Sequence, residues 1–217
     1  ADQDASALSR ERAQREARRY FMLSLAFERP PLVPPRVVVV AGMIASGKSR
    51  SATAIGEVLA APVISSDRLR KHMMDRRPEE TMKSEAWTGA YAEHVTTSVY
   101  DELFRLASVI VDSGRPVVLD ASFRTVAMRA AAKRLAETRS IPFTLLECTA
   151  PRDLLLRRLA AREHGGAQES DARADLLDEF ETRFEPITEL APREHAQLDT
   201  SRPKEENRAR LEALLGA

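Results

Sequence analysis

The sequence predicts an α/β fold in which a five-stranded parallel sheet lies between two layers of helices. Short apolar runs alternate with long amphipathic stretches from residue 36 to the end of the chain, and this alternation is typical of parallel strands joined by crossover helices. The first apolar run passes directly into a glycine-rich loop and a helix-compatible segment. With 217 residues, the chain is long enough for one such three-layer domain and a small appendage.

Each element is predicted from its own residues. The strands are short, mostly apolar runs bounded by turn residues, at residues 36–41, 62–65, 116–119, 143–148 and 195–199. The helices carry apolar residues at helical spacing, at residues 6–28, 48–60, 67–74, 85–113, 125–138, 152–163, 171–184 and 203–215. Ligands of such sheets bind at the carboxyl ends of the strands, so functional residues are expected there.

The first 35 residues are predicted to form a unit of their own. The helix over residues 6–28 has an arginine-rich first half and an apolar second half, and the proline-rich stretch 30–35 follows it. Proline ends a helix because it lacks the backbone amide. We therefore divide the chain into residues 1–35, a helix and linker, and residues 36–217, the main domain. The arginine-rich half is predicted to be either a solvated face or a surface for a partner domain or nucleic acid.

Composition narrows the classes of function. Acidic and basic residues balance at 33 each, so no global field attracts the protein to nucleic acid or an anionic membrane. Cys148 is the single cysteine and lies in an apolar run, which excludes an intramolecular disulfide and predicts a buried structural thiol. The four histidines lack the spacing of metal ligands, no apolar run has the length of a membrane span, and the first residues are unlike a signal peptide. These features predict a cytoplasmic location.

The loop at residues 42–49 has the pattern Gly-x-x-x-x-Gly-Lys-Ser between a strand and a helix. This is the P-loop, or Walker A motif, in which backbone amides and a helix N-terminus surround a phosphate. Lys48 is predicted to reach the β- and γ-phosphates in catalysis, and the Ser49 hydroxyl to hold Mg²⁺. ATP and Mg²⁺ are therefore the predicted cofactors. The nucleotide is expected to contact Gly42, Met43, Ile44, Ala45, Ser46, Gly47, Lys48, Ser49 and Arg50.

Two carboxylates follow predicted strands. Asp67 follows the second strand, which we expect beside the P-loop strand, and it is predicted to be the general base for an attacking hydroxyl. The alternative is that Asp67 only caps the next helix. Arg70 lies one turn later on the same helix face and is predicted to hold Asp67 or a substrate anion. Asp120 ends the third strand and is predicted to be the second metal-site residue.

Two further groups of residues are predicted after the fourth strand and at the end of the fifth. Arg158 and Arg162 share a helix face beside Gly165 and Gly166, where a lid is predicted. Their guanidinium groups are expected to neutralise the transferring phosphoryl group, although a solvated face is the competing interpretation. The loop after the last strand is expected to pack against the nucleotide base, through Asp199, Thr200, Ser201 and Arg202.

At these residues the chain resembles the P-loop kinases that include 5′-polynucleotide kinases, zeta toxins and chloramphenicol phosphotransferase. The resemblance runs from residue 36 to the C-terminus and depends on the P-loop, Asp67-x-x-Arg70, Asp120 and the pair Arg158 and Arg162. It implies a P-loop NTPase fold of the nucleotide-kinase type. It also implies that Asp67 is the general base and that Arg70 contacts the substrate or the transition state.

The overall sequence pattern is also similar to that of predicted kinases that form the C-terminal half of two-domain bacterial proteins. The N-terminal half of those proteins resembles an aminoglycoside phosphotransferase, which implies that residues 1–35 belong to a larger arrangement. One departure concerns Ala45, which stands where the P-loops of the family have glycine. Its Cβ is predicted to narrow the loop or to strain its backbone.

Three functions are compatible with these residues. The first is a kinase that transfers the γ-phosphate to a hydroxyl acceptor, either a small molecule or a 5′-hydroxyl polynucleotide. Its acceptor pocket is expected between residues 67 and 120, where Trp87 and Tyr91 supply stacking surfaces or core packing. The second is a switch or motor, which is disfavoured because Asn207 is the only asparagine and Asp120 has no acidic neighbour. The third is a regulatory nucleotide-binding module or ATPase that has no acceptor.

Overall fold

The computed structural model describes residues 33–76, 89–164 and 177–216, and for Ala90 and residues 162–164 it describes the backbone alone. All of these residues belong to one compact unit. The predicted N-terminal helix, most of the linker, Trp87 and the two glycines of the predicted lid lie outside the described residues. The division of the chain near residue 35 therefore stays a prediction.

The described elements alternate between strands and helices. The strands are β1 (Val37–Gly42), β2 (Val63–Ser65), β3 (Val117–Asp120), β4 (Phe143–Thr149) and β5 (His195–Asp199). The helices are α1 (Lys48–Val58), α2 (Ser66–Met73), α3 (Glu93–Asp112), α4 (Val126–Glu137), α5 (Arg152–His164), α6 (Leu177–Arg183) and α7 (Lys204–Leu215), and a 3₁₀ turn (Gly89–Tyr91) precedes α3. The five predicted strands are confirmed, with bounds that shift by one residue at most.

All strand pairs are parallel, and the order across the sheet is β2-β3-β1-β4-β5. The predicted α/β fold with a five-stranded parallel sheet is thus confirmed. One detail of the prediction is wrong, because β3 and not β2 lies beside β1. Every residue of β3 is buried, whereas the three residues of β2 are half-buried. A strand covered on both faces belongs inside a parallel sheet, and the more exposed strand takes the edge.

The core lies on both faces of the sheet because β1 alternates its side chains between them. Val37, Val39 and Ala41 pack with residues of α3 and α4, while Val38 and Val40 pack with residues of α1 and α7. Cys148 belongs to the second of these clusters and is buried. Burial raises the pKa of its thiol to about 11. The prediction that this thiol is buried is confirmed.

Arg129 of α4 is fully buried and joins two segments that follow different strands. Its guanidinium donates to the carbonyl of Phe123, just beyond β3, and to the carbonyls of Glu185 and Pro186, each at 3.1 Å. It also pairs with the carboxylate of Glu189. A buried guanidinium with this set of acceptors fixes the path of the chain at the end of β3.

We expect Arg129→Leu to lower the free energy of unfolding by about 3–5 kcal/mol, because it leaves several buried acceptors without their donor. Urea unfolding followed by circular dichroism measures the change. The matched control is Arg139→Leu, which removes an exposed ion pair with Asp112 and should change the midpoint little. Equal midpoint shifts for the two variants would contradict the structural role of Arg129.

Candidate active site

A cavity of about 690 Å³ lies where the carboxyl ends of the strands meet the P-loop. It brings together most of the predicted site residues, although they come from five separate stretches of sequence. Those that line it are Ile44, Ala45, Gly47, Lys48, Ser49, Arg50, Asp67, Arg70, Asp120, Arg158, Thr200 and Arg202. The predicted residues Gly42, Met43, Ser46, Asp199 and Ser201 are not part of its lining, and the side chain of Arg162 lies outside the described residues.

The P-loop depends on two glycines with positive φ angles. Gly42 has φ 133°, and a Cβ there would lie 2.4 Å from the Cys148 carbonyl oxygen on β4. Gly47 has φ 88° and is the N-cap of α1, so no side-chain oxygen caps the first-turn amides. Helix amides of this kind are the donors that hold phosphate in a P-loop. The Lys48 ammonium donates to the Met43 carbonyl at 2.6 Å, which places its charge over the loop.

Ala45 adopts the left-handed conformation that favours glycine. Its φ is 58°, a conformation that costs a residue with a Cβ about 1–2 kcal/mol. The methyl group packs in an apolar cluster with Ile44 and with Leu155 and Leu159 of α5. The backbone strain that the sequence predicted is therefore present, and burial of the methyl group offsets part of it.

Arg158 joins the P-loop to the loop after β5. Its guanidinium donates to the Ala45 carbonyl at 3.1 Å, to the Thr200 hydroxyl at 3.0 Å and to the Thr200 carbonyl at 2.7 Å. The Thr200 hydroxyl donates in turn to the Ser46 carbonyl at 2.7 Å. These contacts give Arg158 a positioning role that the sequence did not indicate. The predicted contact with a transferring phosphoryl group stays a prediction.

The loop after β5 is closed by Asp199. Its carboxylate accepts hydrogen bonds from the Ser201 hydroxyl at 2.6 Å and from the Ser201 amide at 2.9 Å. These two bonds lower the pKa of the Asp199 carboxyl group. Asp199 and Ser201 therefore shape the turn, while Thr200 and Arg202 present their side chains to the cavity. Of the four residues predicted near the nucleotide base, two are in place to meet a ligand.

The two carboxylates predicted for catalysis and metal binding lie on the same edge of the sheet. Asp120 is 4% exposed and is paired in register with Val40 of β1 and Ser65 of β2. Asp67 is half-buried in the first turn of α2. The alternative in which Asp67 caps this helix is wrong, because the N-cap is Ser65. Asp67 therefore lines the cavity without serving as the cap.

Arg70 lies at the same edge of the sheet and contacts Tyr91 and Thr96. It is 5% exposed, its guanidinium carbon lies 4.7 Å from the centroid of the Tyr91 ring, and it donates to the Thr96 hydroxyl at 3.4 Å. Tyr91 lines the cavity, so of the two aromatic residues proposed for stacking, this one is in place. Tyr100 packs in the core, and burial raises the pKa of its hydroxyl group.

The turn after β3 contributes residues that the sequence analysis did not select. Phe123 has φ 45° and is fully buried, an unusual combination for a bulky residue. Its amide donates to the Tyr100 hydroxyl at 3.0 Å, which anchors the turn. Ser122 and Arg124 on either side of it line the cavity. The only signal in the sequence was an arginine four positions beyond the aspartate that ends a strand.

Mg²⁺ fits the oxygen donors that the structure places in this cavity. Ser49, in the first turn of α1, and Asp120, at the end of β3, both line it. Mg²⁺ binds one or two protein oxygens and takes its other ligands from water and substrate phosphates.

No helix within residues 33–76, 89–164 and 177–216 is long and apolar enough to cross a membrane.

Comparisons with known proteins give a family. The family model AAA_33, described as an AAA domain, matches residues 37–187. The uncharacterized protein Rv2004c of Mycobacterium tuberculosis is 32% identical over 141 residues, 65% of this chain, and the uncharacterized protein Mb2027c of Mycobacterium bovis matches equally well. The chain spans only 28% of the length of these relatives.

Solved structures share the fold at low sequence identity. A sugar kinase from Janibacter matches with TM-score 0.60 and 19% identity over 84% of this chain and 95% of its own. The APS kinase CysC of Mycobacterium tuberculosis, solved with AMPPNP and APS, matches with TM-score 0.61 and 20% identity over 85% and 99%. Kti12 of Chaetomium thermophilum, solved with ADP-AlF3, matches with TM-score 0.61 and 16% identity over 83% and 98%.

Substitutions at Gly42 and Ala45 of the P-loop should change the free energy of unfolding by very different amounts. We expect Gly42→Ala to destabilise the protein by about 3 kcal/mol or more, because its Cβ collides with a central strand. We expect Ala45→Gly to change stability by less than about 1 kcal/mol, since relief of strain and loss of methyl burial nearly cancel. Urea unfolding measures both changes. A large loss of stability in Ala45→Gly would contradict the strained conformation.

Proposed function

The chain belongs to the AAA domain family, and from that premise we propose that it is an ATP-dependent phosphotransferase that moves the γ-phosphate to a hydroxyl acceptor. The observation that carries the proposal is that one cavity contains both a P-loop and, on a separate helix, a half-buried aspartate. The P-loop accounts for the donor. Asp67 and the residues around it supply a second side on which an acceptor can bind.

The reaction assigns a task to each group. The acceptor hydroxyl oxygen attacks the γ-phosphorus of ATP, and its proton passes to the Asp67 carboxylate. A new phosphorus–oxygen bond forms, the bond to the β–γ bridging oxygen breaks, and ADP leaves with that oxygen. Lys48 neutralises charge on the β- and γ-phosphates, and the α1 amides hold the β-phosphate. We assign Arg158 and Arg162 to the stabilisation of the added negative charge, and Arg70 to contact with the acceptor substrate.

Ser49 and Asp120 are the residues that would hold Mg²⁺. When it is bound, the ion neutralises negative charge on the phosphates. The buried position of Asp120 favours a fixed carboxylate beside the P-loop. Ser49 follows Lys48 directly, so the same helix turn presents the ammonium group and the hydroxyl group to the phosphates.

Two alternatives differ in what accepts the phosphoryl group. A regulatory ATPase would transfer it to water alone, and a 5′-hydroxyl polynucleotide kinase would transfer it to the end of a nucleic acid. The solved structures described as kinases support a phosphotransferase through their fold. The AAA domain description by itself does not separate a kinase from an ATPase. The deciding experiment is a screen of hydroxyl acceptors with γ-labelled ATP, in which transfer of label to an acceptor is compared with hydrolysis.

We also propose that this domain works within a larger protein. The curated relatives extend well beyond the matched region, which is 28% of their length. Residues 1–35 would then connect the P-loop domain to a neighbouring domain. Because Asp199, Thr200, Ser201 and Arg202 are placed by β5, the proposed base-binding loop belongs to the P-loop domain itself.

We expect Lys48→Ala to weaken ATP binding at least about tenfold, because it removes a charged partner of the β- and γ-phosphates. Isothermal titration calorimetry with Mg²⁺ and ATP measures the affinity. Lys133→Ala is the matched control, since Lys133 pairs with Glu194 away from the cavity. Unchanged affinity in Lys48→Ala would remove the basis for the P-loop assignment.

We expect Asp67→Asn to lower the rate of transfer by about 10²–10⁴-fold, because the amide cannot accept the proton. Its affinity for ATP should stay within about twofold, since Asp67 is assigned to the acceptor side. The rate is measured on hydrolysis first and then on any acceptor from the screen. Asp101→Asn, on the exposed face of α3, controls for the change of charge. Full transfer in Asp67→Asn would exclude Asp67 as the base.

A further inference from the structure

The sheet order divides the cavity into two sides. β1 and its P-loop lie at the centre, β3 and β2 lie on one side, and β4 and β5 lie on the other. Arg70 follows β2 and Arg124 follows β3, whereas Arg158 follows β4 and Arg202 follows β5. Asp67 also follows β2, so the proposed base shares its side of the cavity with Arg70 and Arg124. We call this the acceptor side.

The cavity is strongly basic in a chain that carries no net charge. Among the residues that the structure describes, eight basic side chains and three acidic ones line it. The basic residues are Lys48, Arg50, Arg70, Arg124, Arg158, Arg202, Lys204 and Arg208, and the acidic residues are Glu57, Asp67 and Asp120. Since acidic and basic residues balance over the whole sequence, positive charge is concentrated here. The P-loop and the β5 side account for the charge that faces ATP, but not for Arg70 and Arg124.

Arg70 is positioned before any ligand arrives. The Tyr91 ring lies against its guanidinium and the Thr96 hydroxyl accepts one of its N–H groups. A guanidinium stacked on a ring keeps its planar fork in one orientation. Such a group binds the two oxygens of a phosphate, sulfate or carboxylate at little further cost in entropy.

Arg124 is positioned by the turn after β3. Two hydrogen bonds fix the left-handed Phe123. Its amide donates to the Tyr100 hydroxyl, and its carbonyl accepts from Arg129. Burial lowers the pKa of the Arg124 guanidinium; the nearby charges of Arg183 and Arg70 lower it further, while Tyr100 and Glu93 oppose this. Arginine stays protonated in proteins, so an anion bound here relieves the repulsion between the guanidinium groups.

We propose that the acceptor is a small hydroxyl compound with an anionic group, and that Arg70 and Arg124 bind this group while the hydroxyl faces Asp67. The proposal rests on the phosphotransferase function proposed above. It excludes neutral sugars and cationic antibiotics as preferred acceptors. A polynucleotide is disfavoured because its binding depends on many phosphate contacts along a basic surface, and this chain has no net positive charge.

The first test uses inorganic sulfate and phosphate as probes. The protein is saturated with Mg²⁺ and a non-hydrolysable ATP analogue, so that the P-loop is occupied, and each anion is titrated at constant ionic strength while the Tm is followed. We expect saturable stabilisation that weakens about tenfold or more in Arg124→Gln. Arg124→Lys should keep part of it, and Arg105→Gln, an exposed arginine of α3, should keep all of it. No saturable stabilisation, or equal stabilisation in Arg124→Gln, overturns the proposal.

The second test screens acceptors in matched pairs with γ-labelled ATP. Each pair is a neutral polyol and the same polyol carrying a phosphate or carboxylate, and a 5′-hydroxyl oligonucleotide is added as a separate arm. We expect label on the anionic members, with an acceptor KM that rises about tenfold in Arg124→Gln and an unchanged KM for ATP. Preferred transfer to neutral compounds or to the oligonucleotide overturns the proposal. Failure to bind ATP, or hydrolysis with no transfer to any acceptor, would instead refute the phosphotransferase function.

Discussion

The close approach of the P-loop to β4 is the constraint on which the rest of the site depends. Gly42 lies so near the Cys148 carbonyl oxygen that a Cβ would come within 2.4 Å of it, and β4 is a central strand that cannot withdraw. From that point the loop turns over the end of the sheet, and the N-terminus of α1 comes to face the cavity. The same turn places Lys48 and Ser49 opposite the ends of β2 and β3, where Asp67 and Asp120 lie.

The loop is held from its far side by a polar network and not by apolar packing alone. Thr200 donates to the Ser46 carbonyl, and Arg158 donates to the Ala45 and Thr200 carbonyls. Charged donors on carbonyl oxygens make stronger bonds than neutral ones. This network explains how a strained alanine persists in the loop, because several neighbours fix the peptide in which the strain is stored. It also links α5 and the β5 loop to the phosphate site through direct bonds.

The fold and the donor half of the site were predictable because both depend on local sequence. Apolar runs identified all five strands, and the spacing of Gly42, Gly47 and Lys48 identified the P-loop. The sheet order required knowledge of burial, so β2 was wrongly expected beside β1. Arg124 and Arg129 were missed because their roles depend on a left-handed phenylalanine and on contacts about 60 residues away along the chain. The sequence contains no periodicity that reports such contacts.

The distribution of charge gives the two sides of the cavity different tasks. In the proposed reaction, ATP with Mg²⁺ brings negative charge to the centre and the β5 side, where Lys48, Arg158 and Arg202 lie. Arg70, Arg124 and Asp67 all line the acceptor side of the cavity, where Asp67 is the proposed base. An anionic group on the acceptor would give those two guanidinium groups a charged hydrogen-bond acceptor, which a neutral acceptor would not. The arrangement of arginines therefore favours an acceptor that brings negative charge of its own.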